Sequence, residues 1–474
     1  MDGVKQLFDD KVLNLGKTYS YPVSVRDMDK LFAGKLTLSP DRCTLRVMGE
    51  RNTSYDFSQS TKIECSAFNM NFLLFELSIH GHNSQCLQSA VDEQVAYFEY
   101  EFEVGFVVCF EGHFHSFDDA IGFCVKSEMT KKWIGYTELQ QELVEKYHTR
   151  TLNTNPMSDS MEFNQILKGY GQLRLFYHFQ SHHNVYEFSS GLNFPPKLDI
   201  QFDSSVSMSD LHFEYKKFYH LMTLLIGSDF KVNEVTVTSG CQTFPSNISV
   251  YFPNTNRTHE RDYPVFPLGL NLKFNDRDLP EFPLEAFSNY YLLDEKERII
   301  FTRYLRYQRM KSDEERFLGF FRLLESLTTK SSTYVEPESL EAFLKESKAC
   351  ILGKLKGKGT SKDIKKLISR IDRLNTMKYN TSKCIEDFLK KLPDETKASI
   401  VVTDEDVQDI VNLRNKITHA DAYTIDDREL EKYTSFINAL LYLALLERIG
   451  IHPELGSKVV YRLDGYHHIQ NHSN

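Results

Sequence analysis

Arg414 and His419 stand five positions apart in Arg414-Asn415-Lys416-Ile417-Thr418-His419, a permanent cation beside an imidazole that titrates near neutrality. Such a pair suits phosphodiester chemistry. A guanidinium can grip two phosphate oxygens at once, and a histidine with a reference pKa of roughly 6.5 can take and return protons. Spacing alone is a weak signal, because Arg462 and His467 repeat it in the tail. The elements around each copy distinguish them.

Asp404-Glu405-Asp406 opens a run with Val407, Ile410, Val411 and Leu413 at helical spacing, and acids in a first turn suit the helix dipole. A second helix is predicted from Asp426-Asp427 through Leu430, Tyr433, Phe436, Ile437, Leu440 and Leu441, stopping at Gly450. On one unbroken helix, positions i and i+5 point about 140° apart. Arg414 and His419 therefore converge only if the helix ends between them, and a turn expected from Asn415 to Asp421 supplies that break. Asn415 either orients a phosphate or caps the helix end. The tail copy lies in a polar stretch with no periodic apolar face to hold it, and reads as a decoy.

The whole chain has 474 residues, a formal net charge of -10 and a pI near 5.9, which excludes a general nucleic-acid-coating role. Residues 345–391 are the exception, with fourteen basic against five acidic side chains. Lys354, Lys356, Lys358, Lys362, Lys365 and Lys366 are the candidates for gripping an RNA backbone. The nearby Gly353 to Thr360 stretch fails the phosphate-loop spacing and follows no strand. No apolar run approaches the roughly 20 residues of a membrane helix, and no signal-peptide core follows Met1. The eight cysteines form no Cys-x-x-Cys pair, so reduced thiols and a cytoplasmic location are expected. His113 and His115 alternate along a possible strand, but without a third ligand at a recognisable spacing no metal is expected. No cofactor is expected either.

These patterns predict an α+β multidomain protein. Residues 1–285 read as a β-rich, sandwich- or barrel-like region with inserted helices, including one over Ser209 to Ile226, and a subdomain seam near Ser158. Residues 286–450 read as a bundle of roughly five or six helices, and 451–474 as a polar tail. Pro264, Pro267, Pro280 and Pro283 are read as the hinge between the halves.

A helical bundle whose helix junction carries Arg-Asn-x-x-x-His resembles the HEPN superfamily, in which Arg-x4-6-His with a polar residue after the arginine is the ribonuclease signature. The front half, with Gly34-Lys35-Leu36-Thr37-Leu38 near its start, is similar to the N-terminal region of ApeA-type anti-phage proteins. The resemblance implies an abortive-infection endoribonuclease, with tRNA as a substrate and a phage-derived trigger bound by the N-terminal region. It also implies a polar or acidic residue on an earlier helix that aids the site, for which Glu325 is the candidate.

RNA brings its own nucleophile, the ribose 2′-hydroxyl, whose in-line attack leaves a 2′,3′-cyclic phosphate without needing a metal. His419 would handle the proton and Arg414 the phosphoryl oxygens. Two proton transfers occur but one chain offers one histidine, so a two-fold homodimer is expected. DNA lacks the 2′-hydroxyl and should resist. The alternative is a non-catalytic module that binds a nucleotide or a partner, with a ligand-recognising β domain.

Overall fold

A computed structural model describes residues 12–50, 57–88, 94–111, 119–148, 160–184, 189–239, 248–254, 260–275, 278–329, 331–378 and 381–471. The chain divides into two units, Met1–Arg309 and Met310–Asn474.

Unit 1 is built on antiparallel strands. β1 (Tyr19–Asp27), β2 (Lys30–Leu38), β3 (Cys43–Glu50), β4 (Ile63–Ala67), β5 (Met70–Gln88) and β6 (Gln94–Phe110) run in the order β3-β2-β1-β4-β5-β6. β6 also pairs back onto β3, from Tyr97 opposite Glu50 to Val104 opposite Cys43, which closes a six-stranded barrel. Strand alternation fills it: Val23, Val25, Leu36, Leu38, Leu45 and Val47 point inward. Gly34 belongs to this closure, because a Cβ there would sit 2.6 Å from Val25 Cγ2 and 2.8 Å from the Arg46 carbonyl.

The far end of β6 leaves the barrel and pairs with β14 (Ile248–Tyr251). The sheet continues through β13 (Glu234–Ser239), β7 (Asp119–Lys126), β12 (Pro196–Ser207), β9 (Gly171–Tyr177) and β8 (Met161–Leu167). β10 (Gln180–Asn184) and β11 (Ser189–Asn193) form a separate ribbon. Helices α1 (Glu128–Ile134) and α2 (Glu138–His148) follow β7, and α3 (Leu211–Ile226) lays Phe218 against Phe123 of the sheet, ring centroids 6.2 Å apart. The β-rich fold class with inserted helices is therefore as expected. The proposed seam near Ser158 and the His113/His115 pair lie outside the described residues.

The division of the chain differs from the sequence reading. Helices α4 (Glu285–Leu292) and α5 (Glu295–Gln308) belong to unit 1, so the division falls after Arg309 rather than at 285. The sequence reading placed this stretch in the helical bundle, but tertiary contacts tie it to unit 1. Tyr290 donates to the Lys217 carbonyl at 3.0 Å, and Arg309 forms a two-pronged ion pair with the fully buried Asp229 at 2.6 and 2.8 Å. The proline-rich stretch is no hinge: Val265, Phe266 and Leu268 are fully buried, and their amides bond to the carbonyls of Ile226, Leu225 and Trp133. Proline and glycine here shape a packed crossing instead of a linker.

Unit 2 is helical: α6 (Asp313–Thr328), α7 (Pro337–Lys354), α8 (Ser361–Leu374), α9 (Thr381–Leu389), α10 (Asp394–Ser399), α11 (Asp404–His419), α12 (Asp427–Arg448) and α13 (Pro453–Val460). These are eight helices among the described residues, more than the five or six expected. α12 is the central rod, buried from Leu430 through Leu446, and α6 packs along it. Its end is a Schellman motif, with Gly450 at φ 84° and the Ile451 amide bonded to the Leu446 carbonyl at 2.9 Å. The tail is not loose. Val459, Val460, Leu463, Tyr466 and Ile469 are buried, and the amides of Val401 and Asn471 bond across to Ile469 and Ser399. Apolar residues recur every third position here, from Val460 through Leu463 and Tyr466 to Ile469, and packing buries that stripe.

α7 and α8 form a hairpin with its own small core of Leu344, Ile364 and Ile368. β15 (Ser331–Thr333) and β16 (Thr376–Lys378) pair at its base. No helix among the described residues is long and apolar enough to cross a membrane.

Candidate functional site around Arg414 and Glu325

α11 starts on a capping box: the Thr403 hydroxyl accepts from the Asp406 amide at 3.2 Å and the Asp406 carboxylate from the Thr403 amide at 2.8 Å. Burial disfavours the Asp406 carboxylate, but the bonds from Thr403 and the Lys432 ammonium outweigh it and hold its pKa below the usual aspartate value. Val407, Ile410, Val411 and Leu413 supply the buried face, as their spacing implied.

The helix runs unbroken through both residues of the motif and ends after His419. The turn expected to separate Arg414 from His419 is therefore absent. What decides this is the cap. The Asp421 amide reaches back to the Lys416 carbonyl at 2.9 Å, and Ala420 takes the left-handed conformation at φ 56° that a glycine would normally supply. With the helix intact, the two side chains leave it about 140° apart and are offset by about 7.5 Å along the axis. Asn415 is no cap either, lying a full turn inside the helix.

Arg414 is half-buried and held in place by its neighbours. Its Nη2 donates to Glu325 Oε2 at 2.9 Å and its Nη1 to Asn415 Oδ1 at 2.9 Å, while the guanidinium lies over the Phe321 ring at 5.5 Å. Glu325 Oε1 accepts from the Thr381 hydroxyl at 3.0 Å. α6, α9 and α11 thus each contribute to one cluster, and Glu325, singled out through the family resemblance, meets Arg414 directly. Phe321 was legible in principle, since it precedes Glu325 by four residues and shares its helix face. Thr381, at the start of α9, left no sequence signal.

His419 is exposed and makes no hydrogen bond or ion pair among the described residues. The segment beyond it is tied down by Tyr423, whose hydroxyl donates to Glu314 Oε1 at 2.5 Å; that bond to a carboxylate pushes the phenol up to about 12. The lysine candidates fall on the α7–α8 hairpin. Lys354, Lys356, Lys358, Lys362, Lys365 and Lys366 are all exposed, and none forms an ion pair among the described residues. They do not line the Arg414 cluster; they form a separate basic surface of the same unit.

Comparison with known families agrees with this architecture. Residues 318–455 match the Apea-like HEPN model, so unit 2, with α6, α11 and α12 at its centre, is a HEPN helical domain. Residues 19–282, more than half of the chain, match ApeA N-terminal domain 1. The chain belongs to the ApeA family of anti-phage defence proteins carrying a HEPN domain. No curated protein and no solved structure matches it.

Proposed function

We propose that this protein is a metal-independent endoribonuclease of anti-phage defence, acting in the cytoplasm on RNA such as tRNA and working as a homodimer. The observation that carries the proposal is the partly accessible Arg414, pinned by Glu325 and Asn415 inside a unit that matches a HEPN model. The cluster aims a permanent cation at a defined place, as phosphoryl stabilisation requires. Because the two side chains diverge on α11, the exposed His419 serves a linkage held by its own Arg414 less well than one shared with a second copy. A two-fold pair would bring two imidazoles to the scissile phosphate, one as base for the 2′-hydroxyl and one as acid for the leaving 5′-oxygen. The ribose supplies the nucleophile, so no step calls for a metal. The lysines of the α7–α8 hairpin would hold the RNA backbone, and unit 1 would bind the phage-derived trigger.

The test is RNA from phage-infected cells expressing wild type, Arg414→Ala or His419→Ala, mapped for 2′,3′-cyclic phosphate ends. Both substitutions should abolish the ends and the protection. Wild-type cleavage by His419→Ala would overturn the assignment.

A second reading has specific support. The Glu325 carboxylate already neutralises Arg414, and the helix holds His419 away from it. Both suit a non-catalytic HEPN module that binds a nucleotide or a partner; this reading expects no cleavage ends under any condition and indifference to His419 substitution.

A further inference from the structure

Unit 1 holds a cavity of about 430 Å³ where neighbouring β13, β7, β12 and β9 end beside α1. The strand register brings its charged residues together: Lys126 faces Glu234 across β7 and β13, and Lys197 faces Phe176 across β12 and β9. The walls divide into two kinds. Val125, Ile134, Phe176, Pro195 and Leu198 give an apolar side, while Lys126, Lys131 and Lys197 set three ammonium groups around it, against Glu234 as the lining carboxylate.

The cations are unequally committed. Lys126 pairs with Glu234 at 3.0 Å and Lys131 with Glu128 at 2.7 Å. Lys197 is half-buried with no carboxylate partner among the described residues, its ammonium 5.6 Å from the Phe176 ring centroid. The local field is positive enough to act on a neighbour. Partial burial, then the Lys197 and Lys126 ammoniums, keep the His178 imidazole below the usual histidine value. Burial raises the Cys124 thiol to about 12, so this cysteine adds no negative charge.

The hydroxyls at this end are closed to the cavity: Ser127 donates to the Lys231 carbonyl at 2.6 Å, and less than 1 Å² of the Thr130 Oγ1 is accessible. Recognition therefore falls to the lysines and the apolar wall.

We propose that this cavity binds a small organic anion with an apolar or aromatic body, its acidic group held by Lys197 and Lys126. The volume suits a molecule of about two fused or linked rings. The site lies wholly within the residues matching ApeA N-terminal domain 1 and does not depend on unit 2 acting on RNA.

The probe is 8-anilinonaphthalene-1-sulfonate, an anion with a fused aromatic body, titrated into the full chain by fluorescence, with the neutral N-phenyl-1-naphthylamine as its uncharged counterpart. One saturable site is expected, with the neutral probe at least ten-fold weaker. Lys197→Glu should weaken the anion at least ten-fold. Lys30→Glu, on the barrel, should change nothing. Unsaturable binding, equal binding of the neutral probe, or less than two-fold change in Lys197→Glu would overturn the proposal.

Discussion

Glu325 Oε2 and Arg414 Nη2 meet at 2.9 Å although 89 positions separate them in the chain. The contact joins α6 to α11, with Phe321 beneath the guanidinium and Thr381 on the second carboxylate oxygen. It is part fastening and part orientation, and the two roles can be measured apart.

A double-mutant cycle with Glu325→Gln and Arg414→Ala separates them. Both side chains are about a quarter exposed, so the coupling measured by chemical denaturation of unit 2 should be about 1 kcal/mol or less. If Glu325 positions Arg414 for RNA, Glu325→Gln should reduce cleavage, but less than Arg414→Ala does.

Ala420 sits in the left-handed region immediately after His419, a conformation that costs a residue with a Cβ about 1 kcal/mol. Ala420→Gly should relieve that cost and stabilise unit 2 by up to about 1 kcal/mol, net of the extra entropy of an unfolded glycine. A lower stability on thermal unfolding would show that the alanine methyl makes a contact worth more than the strain.

Lys362→Glu, Lys365→Glu and Lys366→Glu combined should weaken RNA binding and flatten its salt dependence. For single-stranded RNA each lost phosphate contact removes about 0.7 from the slope of log K against log salt, so the triple variant should lose about 2. An unchanged slope would show that the α7–α8 hairpin does not touch the backbone.

His220 of α3, bonded to the Thr302 hydroxyl at 3.1 Å, gives unit 1 a pH dependence. Burial, then the Arg309 and Lys216 cations, lower its pKa from 6.5 to about 4, against an opposing pull from Asp229. A folded value below the unfolded one means the unfolded chain takes the proton first. Stability is therefore complete above pH 6.5 and falls as the pH drops towards 4, by about 2 kcal/mol after allowance for partial exposure. His220→Gln should remove this fall, as read from denaturation midpoints at pH 7 and pH 4.5.

Local patterns made much of this protein legible. Residues 1–285 read as β-rich with a helix over Ser209 to Ile226, where α3 lies, helical spacing located α11 and α12, and the acids in the first turn of α11 marked its start. Those features follow from burial of alternate or every third-to-fourth residue, which neighbouring sequence encodes directly. Arg414 and His419 stood out for the same reason, as residue types at a spacing.

Tertiary structure decided the rest. Amphipathic helices do not name their partners, so contacts such as Tyr290 with Lys217 and Arg309 with Asp229 assigned α4 and α5 to unit 1. The tail is buried through apolar residues three apart whose docking surface only folding supplies, and the length of α11 is set by an amide–carbonyl bond and an alanine in a glycine conformation. Sequence specifies what each residue can donate, accept or bury. Which of these offers is taken up depends on groups brought close only by folding.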